Sequence, residues 1–180
     1  TSYPEIWNSE KDLMAALNGE RSIDEVEGIG HKTKDGEIKI TPKRGFIEDL
    51  DDLPLPARHL LHMKKYFEIN IPQGGTSIRS PNTPIMATRG CTANCTFCAT
   101  TQFWGNRLRR RSVDRFIAEM KMLIDTYGVK ELQFIDDNLT LDRNFAHELF
   151  DRMIEEDLDI VWCTPQGTAV WALDNSLLEK

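Results

Sequence analysis

From Pro84 onward the chain switches between two hydrophobic periods. "PIMAT" (84–88) is a short apolar run suited to a strand. Ser112 then caps a segment in which Val113, Ile117, Met120, Ile124 and Tyr127 recur at four-three-four-three spacing, and Gly128 closes it, which predicts an amphipathic helix. "VKELQFID" predicts a second strand. "DRNFAHELFDRMIEED" predicts a second helix, with Asp142 as its cap and Phe145, Leu149 and Met153 on one stripe; "LDIVWCT" predicts a third strand. Strands alternating with helices of this length imply right-handed βαβ crossovers, hence an α/β fold with a parallel sheet, open or closed. In such sheets ligands collect beyond the strand ends, in the βα loops. Two polar segments fall there: a cysteine loop after the first strand, and Asp136, Asp137 and Asn138 after the second.

The pattern before Pro84 differs. "SEKDLMAALNG" reads as a short helix capped by Ser9, with Leu13, Met14 and Leu17 on one face and Gly19 beyond its end. "GIGHKTKDGEIKIT" sets two alternating runs about Asp35-Gly36, a dipeptide that accepts the backbone angles of a tight hairpin turn. "IEDLDDLPLPARHLLHMKKY" is acidic and then punctuated by proline. It reads as an extended connector, because proline removes a donor and biases its predecessor away from helix. These features divide the chain into a connector, residues 1–83, and a βα-repeat region, residues 84–180.

Composition narrows the function classes. With 180 residues, 40% hydrophobic and 28% charged, the chain can fold around a core. No apolar run approaches a membrane span and no basic-then-apolar leader opens the sequence, so a cytoplasmic location is expected. The net charge of −7 argues against a surface built for long polyanions, and no nucleic-acid partner is expected. The basic run Arg107, Arg109, Arg110 and Arg111 reads as a solvated charge cluster. The chain begins without methionine and ends just after "LDNSLLEK" starts a helix, the pattern of a fragment.

Three of the four cysteines, Cys91, Cys95 and Cys98, stand as C-x-x-x-C-x-x-C. Structural zinc normally takes four protein ligands, often as two separated pairs, which a compact triplet does not supply. Three clustered cysteines cannot all pair with one another as disulfides. A [4Fe-4S] cube fits better, since three thiolates leave one iron open to another ligand. Cys163, inside the third strand, reads as a core residue.

"TRGCTANCTFC" resembles the signature of the radical S-adenosylmethionine enzymes, in which C-x-x-x-C-x-aromatic-C follows the first strand of a partial (β/α) barrel; Phe97 holds the aromatic position. The resemblance implies that Cys91, Cys95 and Cys98 hold a [4Fe-4S] cluster whose fourth iron is chelated by S-adenosylmethionine. An electron from the cluster then cleaves the cosubstrate to methionine and a 5'-deoxyadenosyl radical. "FIDDNLT" departs from the family's commoner two-glycine form but is similar to the D-D-N version of the cobalamin-linked branch. That makes Phe97, Asp136, Asp137 and Asn138 the candidate cofactor contacts. "PQG" (165–167) stands where that branch often reads P-N-G, and the helix, hairpin and "DLDDLPLPAR" resemble the connector that follows its cobalamin domain. No D-x-H-x-x-G motif is present, so the chain alone is not expected to bind cobalamin, which stays open for the full-length parent.

The expected activity is therefore methyl transfer, cyclisation or a related radical step on a small-molecule metabolite. An electron donor such as a flavodoxin or ferredoxin is implied, and no catalytic acid or base is identified. Two alternatives remain at this stage: a tRNA-modifying methylthiotransferase, against which the acidic charge and the lack of earlier cysteines count, and a non-catalytic zinc-binding module.

Overall fold

The structure, a computed structural model, describes residues 4–180, with side chains described from residue 10. It divides into two compact units, Thr1–Glu48 and Asp49–Lys180. In the first, α1 spans Pro4–Leu17, so Ser9 lies inside the helix and does not cap it; the Ser9 side chain itself is outside the described residues. Proline suits a first turn because the N–H it lacks would have had no helical partner there. The hairpin forms as the sequence predicts: β1 (Gly30–Lys32) pairs antiparallel with β2 (Ile38–Ile40), His31 opposite Lys39, and Gly36 takes φ +89° in the turn.

In the second unit the proline-rich stretch runs through short 3-10 turns and then forms α2 (Met63–Ile69), where an extended connector was expected. The last proline of that stretch is Pro56, and the backbone restriction of proline does not reach seven residues further on. Next come β3 (Asn82–Ile85), β4 (Thr88–Arg89), α3 (Thr100–Trp104), β5 (Arg109–Arg110) and α4 (Val113–Tyr127). They are followed by β6 (Glu131–Phe134), α5 (Arg143–Glu155), β7 (Val161–Cys163) and α6 (Asn175–Leu178).

The helix ends follow their caps. Ser112 Oγ accepts from the Arg115 N–H, Gly128 closes α4 in the left-handed region, and Asp142 accepts from the Phe145 N–H. The strands β3, β6 and β7 form an open parallel sheet in the order β3-β6-β7; the described residues form no closed barrel.

Strand β6 is buried along its whole length. One face carries Leu132 and Phe134 into a core with Phe116, Ile117, Met120 and Leu123 of α4 and Phe145, Leu149 and Phe150 of α5. The predicted α4 stripe is rotated slightly, since Phe116 and Leu123 are fully buried while Ile124 is only partly so. At the third strand Trp162 stacks between Phe134 and Phe150, at centroid distances of 5.2 and 4.9 Å. The other face of β6 carries Glu131 and Gln133, whose polar groups need partners once buried. The segment 70–79 supplies them: Glu131 accepts from the Ile78 and Arg79 N–H groups at 2.6 and 2.9 Å, and Gln133 accepts from the Gln73 N–H at 2.5 Å. The loop before the first parallel strand therefore lies across the face of the sheet turned away from the helices.

The basic run is solvated only in part, Arg107 and Arg110 being exposed. Arg109 and Arg111 are buried; Arg111 pairs with Glu119 of α4, which also binds Arg58 at 2.5 Å, so one buried carboxylate serves two guanidinium groups. No described helix is long and apolar enough to cross a membrane.

Candidate functional site

The cysteine loop leaves the carboxyl end of β3 and is tied at its base. Strand β4 pairs antiparallel with β5, Thr88 opposite Arg110 and Arg89 opposite Arg109, so the cysteines and α3 sit between two short strands. Pairs of two residues carry no hydrophobic period, which is why the sequence gives no sign of this ladder. Gly90 stands one residue before the first cysteine at φ +92°, and a Cβ there would lie 2.2 Å from the Arg107 carbonyl oxygen. A side chain is excluded both by the backbone angle and by the approach of the returning strand. Arg110 binds Asp142 at 2.9 Å, joining the loop base to the start of α5.

Asp136 fastens the other side. Its carboxylate accepts from the Thr88 N–H at 2.5 Å, the Thr88 hydroxyl at 2.7 Å and the Ala87 N–H at 3.1 Å. The group is 1% exposed, and loss of hydration raises it to about pH 6 against the pull of those donors. Asp136 thus holds the backbone that leads into the cysteines. Asn138 is also buried, its carboxamide oxygen accepting from the Thr140 hydroxyl at 3.2 Å. Asp137 is half-buried and turns to the loop, accepting from the Thr100 hydroxyl at 3.0 Å. The two polar segments that the sequence places at neighbouring strand ends do meet here.

The four cysteines are free thiols. Cys95 and Cys98 are exposed and Cys91 is half-buried, with a turn formed by the Cys98 N–H donating to the Cys95 carbonyl at 3.1 Å. Hydrogen bonds from the Thr100 hydroxyl and N–H hold the Cys98 thiol below its ordinary value, while the Asp137 charge works against them. Burial pushes the Cys163 thiol up instead. The two shifts run in opposite directions, the thiolate form favoured at the exposed loop cysteine and disfavoured at the strand cysteine.

Among the described residues no group of three or more His, Cys, Asp or Glu side chains is arranged about a single metal position. A cube of four irons places each thiolate on a different iron, so an open loop of three thiols suits it. Phe97 is 91% exposed. Beyond the cysteines, the Arg89 guanidinium lies over the Trp104 ring at 4.9 Å, and Phe103 meets Trp104 edge-on. The loop after β7 turns at Gly167, φ +87°, whose N–H donates to the Thr164 carbonyl.

Thr100, Thr88 and Gly90 are structural parts of this site that sequence reasoning missed, and Arg110 was visible there only as a member of the basic run. The signal for Gly90 was present, a glycine directly before the first cysteine. Threonines in a polar loop carry no comparable mark.

Residues 85–172 match the sequence profile of the Radical SAM superfamily. The chain is 40% identical to the cytidylyl-2-hydroxyethylphosphonate methyltransferase of Streptomyces wedmorensis, over 92% of this chain and 34% of that protein. It is 31% identical to the anaerobic magnesium-protoporphyrin IX monomethyl ester cyclase of Rubrivivax gelatinosus, over 76% of this chain and 23% of the cyclase. Among solved structures it resembles the cobalamin-dependent S-adenosylmethionine radical enzyme OxsB with aqua-cobalamin and S-adenosylmethionine bound. There the TM-score is 0.65 at 18% identity, covering 86% of this chain and 21% of that one, a likeness of fold. The chain spans about a third or less of the length of these relatives.

Proposed function

This chain belongs to the radical SAM superfamily, and from that premise we propose that it forms the cluster- and cosubstrate-binding part of an enzyme for methyl transfer or cyclisation of a small molecule. The observation that carries the reading is the meeting of the three-thiol loop with Asp137 at the carboxyl ends of adjacent parallel strands.

Cys91, Cys95 and Cys98 are the thiolates that would hold a [4Fe-4S] cluster. When bound, that cluster supplies the electron that cleaves S-adenosylmethionine to a 5'-deoxyadenosyl radical. Asp137 offers a half-exposed carboxylate suited to the ammonium group of the cosubstrate. Asp136 and Asn138, both buried and engaged with the protein's own donors, act on the cofactors by fixing the loop and the strand-to-helix turn. Phe97 is the exposed ring that bound cofactor would cover. Residues 84–180 form the catalytic region and residues 1–83 the connector to it.

Cobalamin belongs to this reading only through the full-length protein, since the relatives that share the fold include a cobalamin-dependent enzyme. A reducing partner such as a flavodoxin or ferredoxin and a cytoplasmic setting complete it. The tRNA-modifying and zinc-module alternatives are not favoured: the relatives of higher identity or coverage include a methyltransferase and a cyclase, and a compact triplet lacks the fourth protein ligand of structural zinc.

Iron and sulfide analysis of the anaerobically reconstituted full-length protein, with S-adenosylmethionine binding measured by equilibrium dialysis, tests the proposal. It expects one cube per chain, and weaker cosubstrate binding in D137N with the cluster retained. Zinc in place of iron, or unchanged binding in D137N, would contradict it.

A further inference from the structure

Arg89 and Arg109 stand directly opposite one another on the two-residue ladder of β4 and β5. Like charges so placed repel. Each is drawn to a different part of one residue: the Arg89 guanidinium lies over the Trp104 ring at 4.9 Å, and Arg109 Nη2 donates to the Trp104 carbonyl at 2.7 Å. Arg109 is buried, so its guanidinium depends on acceptors within the protein. Phe103 meets the same ring edge-on, with centroids 5.1 Å apart.

These contacts join two points on either side of the cysteines. Arg89 is two residues before Cys91, and Trp104 ends α3, which starts two residues after Cys98. A helix of five residues spans only about 7 Å, so an anchor at Trp104 leaves Cys98 little slack.

We propose that Trp104 is a positioning residue: gripped by Arg89 through its ring and by Arg109 through its carbonyl, it closes the cysteine loop on its own stem and holds Cys98 near Cys91 before any cluster is present. The inference rests on the reading of the three thiols as cluster ligands given above. A loop closed in advance loses less conformational entropy when it takes up its ligand. Trp104 therefore governs how firmly the cluster is retained, with α4 and α5 left as they are.

Two measurements on the full-length protein test this. In the cluster-free protein, W104A should speed hydrogen exchange of the Phe103 and Gly105 amides, which bond to Ala99 and Thr101, at least about tenfold, with the amides of α4 unchanged. In the anaerobically reconstituted protein, iron release to a chelator should be about fivefold faster in W104A and in R89Q, and close to the wild-type rate in W104F and R89K, which keep a ring and a cation. R89Q placed on W104A should add little, because both changes break the same contact. W104L serves in place of W104A should the alanine variant take up no cluster.

Unchanged exchange of the α3 amides, iron release from W104A and W104L within about twofold of wild type, or independent effects of R89Q and W104A would overturn the proposal with the cluster site intact. Exchange that quickens equally in α3 and α4 would also overturn it, as a general loss of stability. A wild type that takes up no iron would overturn the underlying reading instead, and the exchange measurement, made without cluster, would still decide whether Trp104 closes the loop.

Discussion

Replacing Gly90 by alanine puts a methyl group where the returning strand passes. The added Cβ would meet the Arg107 carbonyl oxygen at 2.2 Å, the Arg107 carbonyl carbon at 3.1 Å and the Gly105 oxygen at 3.3 Å, all backbone atoms that cannot rotate away. Restoring an ordinary contact requires the strands to part by about 1 Å, an overpacking cost of about 1 to 3 kcal/mol. Holding a non-glycine residue at φ +92° adds about 1 to 3 kcal/mol. The sum, about 4 kcal/mol at mid-range, is a large part of a domain's stability.

Gly128→Ala is the control. Gly128 is also left-handed, at φ +64°, but has nothing within 4 Å of its Cβ position, so it should cost only about 1 to 2 kcal/mol. Urea unfolding of the 180-residue chain, followed by the fluorescence of its four tryptophans, measures both variants. A G90A cost within about 0.5 kcal/mol of the G128A cost would refute the close approach as the reason for glycine.

Three further outcomes are expected. Asp136 is raised from 3.8 to about 6 by burial, so the folded state binds the proton more tightly than the unfolded one; its contribution is fully present below about pH 4 and is lost as pH rises through 6. The difference in stability between wild type and D136N should change by about 3 kcal/mol across that window, and parallel profiles in urea titrations at pH 4 and 7 would contradict the assignment. Glu119→Ala leaves Arg58 and Arg111 buried without their shared carboxylate and should cost about 3 to 5 kcal/mol by the same assay, where an effect under about 1 kcal/mol would show that water reaches the pair. Glu131→Ala removes the acceptor for the Ile78 and Arg79 N–H groups and should speed their hydrogen exchange at least about tenfold; unchanged exchange would show that the segment is held elsewhere.

What was readable in the sequence depends on how far each interaction reaches along the chain. The α4 and α5 boundaries follow from Ser112, Gly128 and Asp142, whose capping bonds span three or four residues and so leave a local mark. The parallel order of β3, β6 and β7 follows from the strand-helix alternation. Arg111 looked solvated because its partner Glu119, though only eight residues away, lies across a strand-to-helix turn, and Arg58, the other guanidinium on Glu119, is far upstream. The same holds for residues 70–79, whose anchors Glu131 and Gln133 lie more than 50 residues later. Asp136 was legible as part of an acidic motif, yet its burial and its grip on Ala87 and Thr88 depend on the sheet bringing two strand ends together. The cysteine spacing, by contrast, is entirely local and pointed to the site without the fold.

The proposed function turns on the three loop thiols holding a cluster with one iron open to S-adenosylmethionine. The most direct test is electron paramagnetic resonance of the anaerobically reconstituted, dithionite-reduced full-length protein, recorded with and without S-adenosylmethionine. A [4Fe-4S] signal that shifts on adding the cosubstrate, and is absent when Cys91, Cys95 and Cys98 are replaced by alanine, is the predicted result. A cluster signal indifferent to S-adenosylmethionine, or one that survives the triple replacement, would contradict it.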